Sequence, residues 1–182
     1  QALAKGARDF GATIHRNTAV TGIEQLASGE WKITTDKGEI VAEHVISATG
    51  NFARRTGAMV GLAVPVIPVE HQYIVTEPHP AIVERKRQGL PEMGVLRESD
   101  SSWYMREENG GLILGPYEIG APCCYLDGPD ADSEYELFQE DLDRLMPHIE
   151  TAIARVPAFG EVGIKKVYNG AIAYTPDGSP IV

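Results

Sequence analysis

The stretch that decides the fold is residues 65–77, PVIPVEHQYIVTE, followed by a second of the same kind at residues 101–118, SSWYMREENGGLILGPYE. Both are rich in β-branched and aromatic residues, a composition typical of β-strands. A Pro- and Gly-rich connector through Pro129 leads to a predicted helix over residues 132–146, and residues 163–182 predict two more strands around a turn. Several antiparallel strands with few helices predict an α+β fold, in which helices accompany an antiparallel β-sheet.

The residues before this region predict a smaller unit. Residues 1–10 carry a helical apolar stripe that ends at Gly11, a residue suited to a left-handed C-cap. The apolar run HVISA at residues 44–48 does not alternate and predicts a buried strand that leads into a tight turn. The pattern changes near Pro65 without a flexible linker, so the two regions are expected to pack against each other. Between helix and buried strand, an antiparallel meander is predicted, with strands at residues 13–15, 19–26, 30–34 and 38–42 and turns at SGE and DKG.

Composition places the chain among globular proteins and argues against several kinds of partner. The 182 residues are 43% hydrophobic, enough for a core, and no run approaches the roughly 18 apolar residues that cross a bilayer. The net charge of −10, with acidic residues concentrated between Asp127 and Glu150, is the wrong sign for binding nucleic acid. Cys123 and Cys124 are adjacent, so they lack the spacing of a disulfide framework or a zinc site and fit a reducing compartment. We expect no nucleic-acid partner, no membrane and no metal, and a cytoplasmic location, or the mitochondrial matrix in a eukaryote.

Five blocks of sequence together carry a family resemblance: NTAVTGIE, WKITTDKGEIVAEHVISATGNFA, VPVIPVEHQYIVTE, YMREENGGLILGPYE and NGAIAYTPDGSPI. In this order and spacing they resemble the D-amino-acid-oxidase-type family of FAD-dependent oxidoreductases, and within it the dimethylglycine and sarcosine dehydrogenase group. The resemblance covers nearly the whole chain. It implies part of an FAD-binding α/β domain at residues 1–64, a substrate-binding lobe at residues 65–168, and a return toward the FAD domain at residues 169–182.

The family's G-x-G-x-x-G turn, which binds the FAD pyrophosphate at a helix N-terminus, is not in this sequence. The chain is therefore interpreted as an internal piece of a longer protein. By itself it is expected to purify without tightly bound FAD.

The resemblance also implies which residues lie against FAD. The ATG turn ends a strand in small residues, which lets the backbone approach a dinucleotide phosphate. The meander would offer backbone hydrogen bonds to the adenine, and the TPDGSP turn would approach the isoalloxazine ring. Taken alone, the same features are a glycine-terminated strand, a core valine and an ordinary turn. The cofactor-binding residues implied in this way are Val20, Ala48, Thr49, Gly50, Pro176, Asp177 and Gly178.

Candidate substrate contacts come from strand parity and from the resemblance. His71 and Tyr73 lie two residues apart in one predicted strand and share a face, as do Tyr104 and Arg106 in the next. In the resembled enzymes, a histidine in an HQY context and a tyrosine in a YxR context line the substrate pocket. His71 and Tyr104 match those motifs and are the predicted catalytic residues, with Tyr73 and Arg106 as predicted substrate contacts.

Each of these residues has a chemical role that suits amine oxidation. A neutral imidazole at His71 would take the proton of a substrate ammonium group, and the Tyr104 hydroxyl would orient the amine or carboxylate. The planar guanidinium of Arg106 suits bidentate binding of a substrate carboxylate. The alternative for Arg106 is a surface ion pair with Glu107 or Glu118.

The resemblance implies a parent enzyme that uses FAD to oxidise a secondary or tertiary N-methyl amine such as dimethylglycine or sarcosine. Either oxygen or an electron-transfer flavoprotein would then accept the electrons. Two alternatives stay open: a flavin oxidase for another amine or a hydroxy acid, and a binding module that keeps the architecture without redox chemistry.

Overall fold

The computed structural model describes residues 1–134 and 136–181, and the chain divides into two compact units, Gln1–Val64 and Pro65–Val182. Helices and antiparallel sheets are mixed, which confirms the predicted α+β class. Tyr135, inside the helix predicted over residues 132–146, and Val182, at the end of the last predicted strand, lie outside the described residues.

The first unit is built around a three-stranded meander. Helix α1 (Ala2–Asp9) is followed by Gly11, whose φ of +91° is the left-handed geometry expected there. Strands β1, β2 and β3 then pair antiparallel in the order β1-β2-β3, as predicted. Their bounds are Val20–Gln25, Trp31–Thr35 and Gly38–Ala42.

Two strand predictions in this unit are wrong. Residues 13–15 have no strand geometry and are exposed, because no strand in the described part of this unit pairs with them. Residues 44–48, predicted as a buried strand, have no regular structure either, and Ile46 is 90% exposed. A strand needs hydrogen-bonding neighbours, and within the described part of this unit none pairs with the HVISA run.

After this run the chain becomes helical. A single 3₁₀ turn (Gly50–Phe52) leads into helix α2 (Ala53–Ala58). Gly57 lies against the side chain of Val64, where a Cβ atom would clash, so the helix and the following segment can pack only because this residue is glycine.

The second unit is an antiparallel sheet of five strands in the order β5-β6-β7-β4-β8. Both stretches quoted at the outset form strands, since residues 65–77 contain β4 and residues 101–118 contain β6 and β7. The strands are β4 (Ile67–Thr76), β5 (Leu96–Glu98), β6 (Trp103–Glu108), β7 (Gly111–Pro116) and β8 (Ile164–Tyr174).

The last strand differs from its prediction. β8 pairs with β4 along its length, so the residues on both sides of position 168 belong to one sheet. The turn after it is present, but Ile181 is not in a strand, and the second of the two strands predicted for residues 163–182 is not found in the described residues.

One face of this sheet is covered by helix α4 (Leu142–Arg155). Trp103 and Leu114 from the sheet and Leu145 from the helix are at most 1% exposed, and the Trp103 indole N–H donates to Thr151 Oγ1 at 3.1 Å. Because side chains alternate along a strand, the residues between these core positions point to the opposite face. That opposite face carries the predicted substrate contacts.

The predicted helix over residues 132–146 is wrong in both bounds. The structure begins α4 at Leu142, because the side chain of Asp141 caps it by accepting a hydrogen bond from the Arg144 N–H at 3.1 Å. The helix also continues past Pro147, since burial of Leu145 and Ala152 on its inner face offsets the lost backbone hydrogen bond.

A second helix was not predicted from the sequence. Helix α3 (Pro80–Arg87) has Pro80 in its first turn, and the ring of His79 caps it by accepting a hydrogen bond from the Ala81 N–H at 3.1 Å. A short 3₁₀ segment (Pro157–Glu161) lies between α4 and β8 in the sequence.

Candidate active site

The face of the five-stranded sheet opposite α4 is rich in aromatic side chains. We call it the aromatic face and define it by His71, Tyr73, Tyr104, Tyr117 and Tyr168. The strand register aligns these residues, since Tyr73 is paired with Tyr168 and their rings stack with centroids 4.8 Å apart. Aromatic pairs at this spacing stabilise a sheet across its strands.

The ring of Tyr117 lies beside both predicted catalytic residues. Its centroid is 5.7 Å from that of His71 and 6.0 Å from that of Tyr104, with tilted rings in both pairs. The structure therefore brings His71 and Tyr104 together on one face of the sheet, around a tyrosine that follows directly after β7. Tyr117 lies in the GPYE block but was not among the predicted site residues.

A glycine makes room for Tyr104. Tyr104 on β6 is paired with Gly115 on β7, and a Cβ atom at Gly115 would lie within 3.0 Å of the far end of the Tyr104 ring. The ring thus lies across the neighbouring strand, in space that any other residue at position 115 would occupy. The absence of a side chain at Gly115 on β7 therefore explains where the Tyr104 hydroxyl lies.

The electrostatic environment keeps His71 neutral. Its imidazole is half-buried, and burial lowers its pKa below the usual 6.5. The carboxylate of Glu118 raises this pKa and the guanidinium of Arg144 lowers it, and the net direction is downward. A neutral imidazole at physiological pH can accept a proton from a ligand.

The charges that act on His71 belong to a network on the other side of the sheet. Arg144 donates to Glu118 Oε2 at 2.7 Å and to Glu70 Oε2 at 3.0 Å, and the side chain of Glu118 is only 3% exposed. Gln72 holds Glu118 as well, through its backbone N–H at 3.1 Å and its side-chain amide at 3.2 Å. The network joins β4, α4 and the residue after Tyr117, so it anchors both ends of the His71–Tyr117 contact.

Tyr73 lies at a cleft of about 380 Å³ that also reaches Arg106 and Tyr168. The pKa of its hydroxyl is raised, first by burial and then by the neighbouring Tyr168, Tyr104 and Glu108. The hydroxyl therefore stays protonated and can act as a hydrogen-bond donor.

Arg106 is engaged by an acidic neighbour. Its Nη1 donates to Glu108 Oε2 at 2.6 Å and to the backbone carbonyl of Glu107 at 2.9 Å. This is a surface ion pair, formed with Glu108 and not with the carboxylates considered from sequence, because Glu118 is held by Arg144. The geometry therefore favours the alternative reading of Arg106 over carboxylate binding.

The predicted FAD contacts of the first unit are accessible. Val20 is 43% exposed, and Ala48, Thr49 and Gly50 are exposed as well. Gly50 has a φ of +55°, and a Cβ atom there would meet open space, so the backbone at this turn is open to close approach. The contact of these residues with FAD stays a prediction, and the strand expected to present Ala48, Thr49 and Gly50 is absent.

The TPDGSP turn of the second unit is held by its own side chains. Thr175 Oγ1 donates to the Ser179 carbonyl at 2.7 Å, and Asp177 Oδ1 accepts from the Ser179 N–H at 2.9 Å. Gly178 has a φ of +72°, which the turn requires. Pro176, Asp177 and Gly178 are exposed, and their contact with FAD stays a prediction.

Within residues 1–134 and 136–181, no three His, Cys, Asp or Glu side chains are grouped so that they could hold a metal ion. Across the same residues, no helix is long and apolar enough to cross a membrane. Cys123 and Cys124 are free thiols, and burial raises the pKa of Cys124, which disfavours a reactive thiolate.

Comparison with known protein families identifies the class of the chain as flavin-dependent oxidoreductases. The family model for FAD dependent oxidoreductases matches residues 1–182, and the chain belongs to this family. The cofactor of the family is FAD.

The relatives of the chain include dimethylglycine and sarcosine dehydrogenases. The chain is 39% identical to human mitochondrial dimethylglycine dehydrogenase over 186 residues and 32% identical to mouse mitochondrial sarcosine dehydrogenase, also over 186 residues. These alignments cover 100% and 99% of this chain but 21% and 19% of the relatives, so the chain spans about a fifth of their length. Among solved structures, L-proline dehydrogenase from P. horikoshii is similar with a TM-score of 0.72 and 27% identity, over 98% of this chain and 44% of that one.

Proposed function

We propose that this chain carries substrate-binding residues of an FAD-dependent enzyme that oxidises secondary or tertiary N-methyl amines, with dimethylglycine or sarcosine as the substrate class. The observation that carries the proposal is the joint placement of His71 and Tyr104 around Tyr117. Similarity to dimethylglycine and sarcosine dehydrogenases supports the choice of amine.

His71 acts as the proton acceptor. N-methyl amino acids are ammonium ions at neutral pH, and a C–H bond next to nitrogen becomes oxidisable when the nitrogen has a free lone pair. The neutral, half-buried imidazole takes the ammonium proton and leaves that lone pair. FAD, when bound, supplies the two-electron chemistry of the oxidation.

Tyr104 acts as the positioning group. Its ring lies across Gly115, and its hydroxyl can hold the amine or carboxylate of a substrate beside His71. In the first unit, the open backbone at Ala48, Thr49 and Gly50 would hold FAD phosphate oxygens, and Val20 would contact the adenine.

The test uses a flavin-loaded protein that contains this chain. Anaerobic addition of dimethylglycine or sarcosine should bleach the flavin absorbance, and reoxidation by oxygen or by an electron-transfer flavoprotein identifies the acceptor. His71→Ala should lower turnover by ~10²–10⁴-fold, the usual contribution of an acid–base group, with flavin still bound. Tyr104→Phe should have a smaller effect.

The matched control is His15→Ala, which removes an exposed histidine of the first unit and should leave turnover unchanged. Unchanged kcat/KM in both His71→Ala and Tyr104→Phe would refute the assignment of these residues. Failure of every N-methyl amine to bleach the flavin would favour the binding-module alternative.

A further inference from the structure

Arg97 on β5 lies beside Tyr104 and Tyr117 and was not among the predicted site residues. It is paired directly with Tyr104 of β6 in the strand register. Its Nη2 donates to the Tyr117 hydroxyl at 3.2 Å, and its guanidinium carbon lies 5.6 Å from the centroid of the Tyr117 ring. Arg97 and His71 thus both contact the ring of Tyr117.

Within the described residues, Arg97 has no acidic partner of the kind that Arg106 has. Arg106 lies 2.6 Å from a Glu108 carboxylate oxygen, whereas no carboxylate in the described part of the chain is within ion-pair distance of Arg97. The side chain is exposed, and the hydrogen bond to Tyr117 uses one of its five N–H donors. An arginine oriented by an aromatic hydroxyl, with most of its donors unused, is suited to an anionic ligand.

We propose that Arg97 and Tyr117 bind the carboxylate of an amino-acid substrate; this site rests on the proposed function. Arg97 donates to the carboxylate with its remaining N–H groups. Tyr117 accepts from Arg97 through its oxygen, so its own O–H proton can be donated to the same carboxylate. His71, which also lies beside the Tyr117 ring, then receives the amine end.

This arrangement assigns specificity to Arg97 and makes it a substrate-binding residue in place of Arg106. An N-methyl amino acid has one carbon between carboxylate and nitrogen, so it can contact both groups around a single tyrosine ring. A simple N-methyl amine lacks the carboxylate and would be held only at the His71 end. The site therefore distinguishes N-methyl amino acids from amines without a carboxylate.

The experiment compares two redox-inert probes in the flavin-loaded protein. Trimethylglycine has a carboxylate but no nitrogen lone pair, so it binds without being oxidised, and tetramethylammonium is its carboxylate-free counterpart. Binding is measured from the perturbation of the flavin absorbance. Arg97→Gln should weaken trimethylglycine binding by about 10- to 100-fold, the range for losing hydrogen bonds to a charged group, and leave tetramethylammonium binding unchanged.

Further variants separate binding from structural support. Arg97→Lys should recover part of the affinity, because it keeps the charge without the planar fork. Tyr117→Phe should weaken trimethylglycine binding less than Arg97→Gln does, and Arg106→Gln should have a smaller effect than either. Arg87→Gln on α3, an exposed arginine paired with Glu84, is the matched control. In steady state, Arg97→Gln should raise KM for dimethylglycine more than it lowers kcat.

Three results would overturn the carboxylate site. The first is equal weakening of both probes by Arg97→Gln, which would mean that Arg97 only supports Tyr117. The second is a larger loss in Arg106→Gln than in Arg97→Gln. The third is unchanged trimethylglycine binding in Arg97→Gln while N-methyl amines still bleach the flavin, which overturns this site alone. If no N-methyl amine bleaches the wild-type flavin, the proposed function fails and this site fails with it.

Discussion

Gly115→Ala tests whether the position of the Tyr104 ring matters for turnover. The added Cβ would lie within 3.0 Å of the end of the Tyr104 ring, whereas carbon atoms in contact prefer about 3.5–4.0 Å. The ring must therefore move by about 1 Å or its χ angles must change. A displacement of about 1 Å in an active site can lower turnover by up to ~10²-fold, so we expect a loss of ~10- to 100-fold.

Stability should change much less than activity in this variant. Replacing a strand glycine removes about 0.5–1 kcal/mol of chain entropy cost, which partly offsets the ~1–3 kcal/mol of overpacking. The displaced atoms are the far end of a side chain on a half-exposed face, which can move. We expect the free energy of unfolding to fall by no more than about 2 kcal/mol.

Two other glycines provide matched controls. Gly111→Ala, on the same strand and face, would place a Cβ 2.7 Å from the backbone oxygen of Glu77, which cannot move easily, so it should mainly destabilise the protein. Gly94→Ala meets nothing within 4 Å and should affect neither property. The assays are anaerobic flavin reduction by dimethylglycine and urea unfolding. Wild-type turnover in Gly115→Ala, with a shifted Tyr104 ring in its structure, would refute the reasoning.

The remaining predictions concern His71 and the network behind it. Because burial lowers the pKa of His71, the neutral base persists below pH 6.5, and the acid limb of kcat/KM should lie at lower pH than for an ordinary histidine. An acid limb above pH 6.5 would contradict the lowered pKa of His71. The folded state also binds this proton less readily than the unfolded chain, so the contribution of His71 to stability falls as the pH drops below 6.5. Glu118→Ala should lower the free energy of unfolding by about 3 kcal/mol, the lower end for breaking a buried pair, because Arg144 keeps Glu70. Urea unfolding measures it, with Glu84→Ala in an exposed pair as the control expected to change little; equal effects of the two would contradict burial as the cause.

Most of the fold was predictable because its signals are local. The meander in the first unit and the strands β4, β6 and β7 follow from alternation, β-branched residues and turn composition. The errors lie where tertiary contacts decide. HVISA at residues 44–48 is apolar enough for a buried strand, but it has no strand to pair with in the described unit. Helix α4 begins later than expected because the cap at Asp141 and the burial of Leu145 set its bounds.

In the candidate site, too, local patterns predicted some features and tertiary contacts decided the others. Strand parity alone determined that His71 and Tyr73 share a face, and that Tyr104 and Arg106 do, because successive side chains alternate in any strand. Parity cannot say which faces of separate strands lie together, since that depends on the intervening strand and its register. Only the tertiary structure brought Tyr117 next to both His71 and Tyr104, paired Arg106 with Glu108, and placed Arg97 beside the Tyr117 hydroxyl. These contacts join residues far apart in sequence, and their geometry is decided by packing.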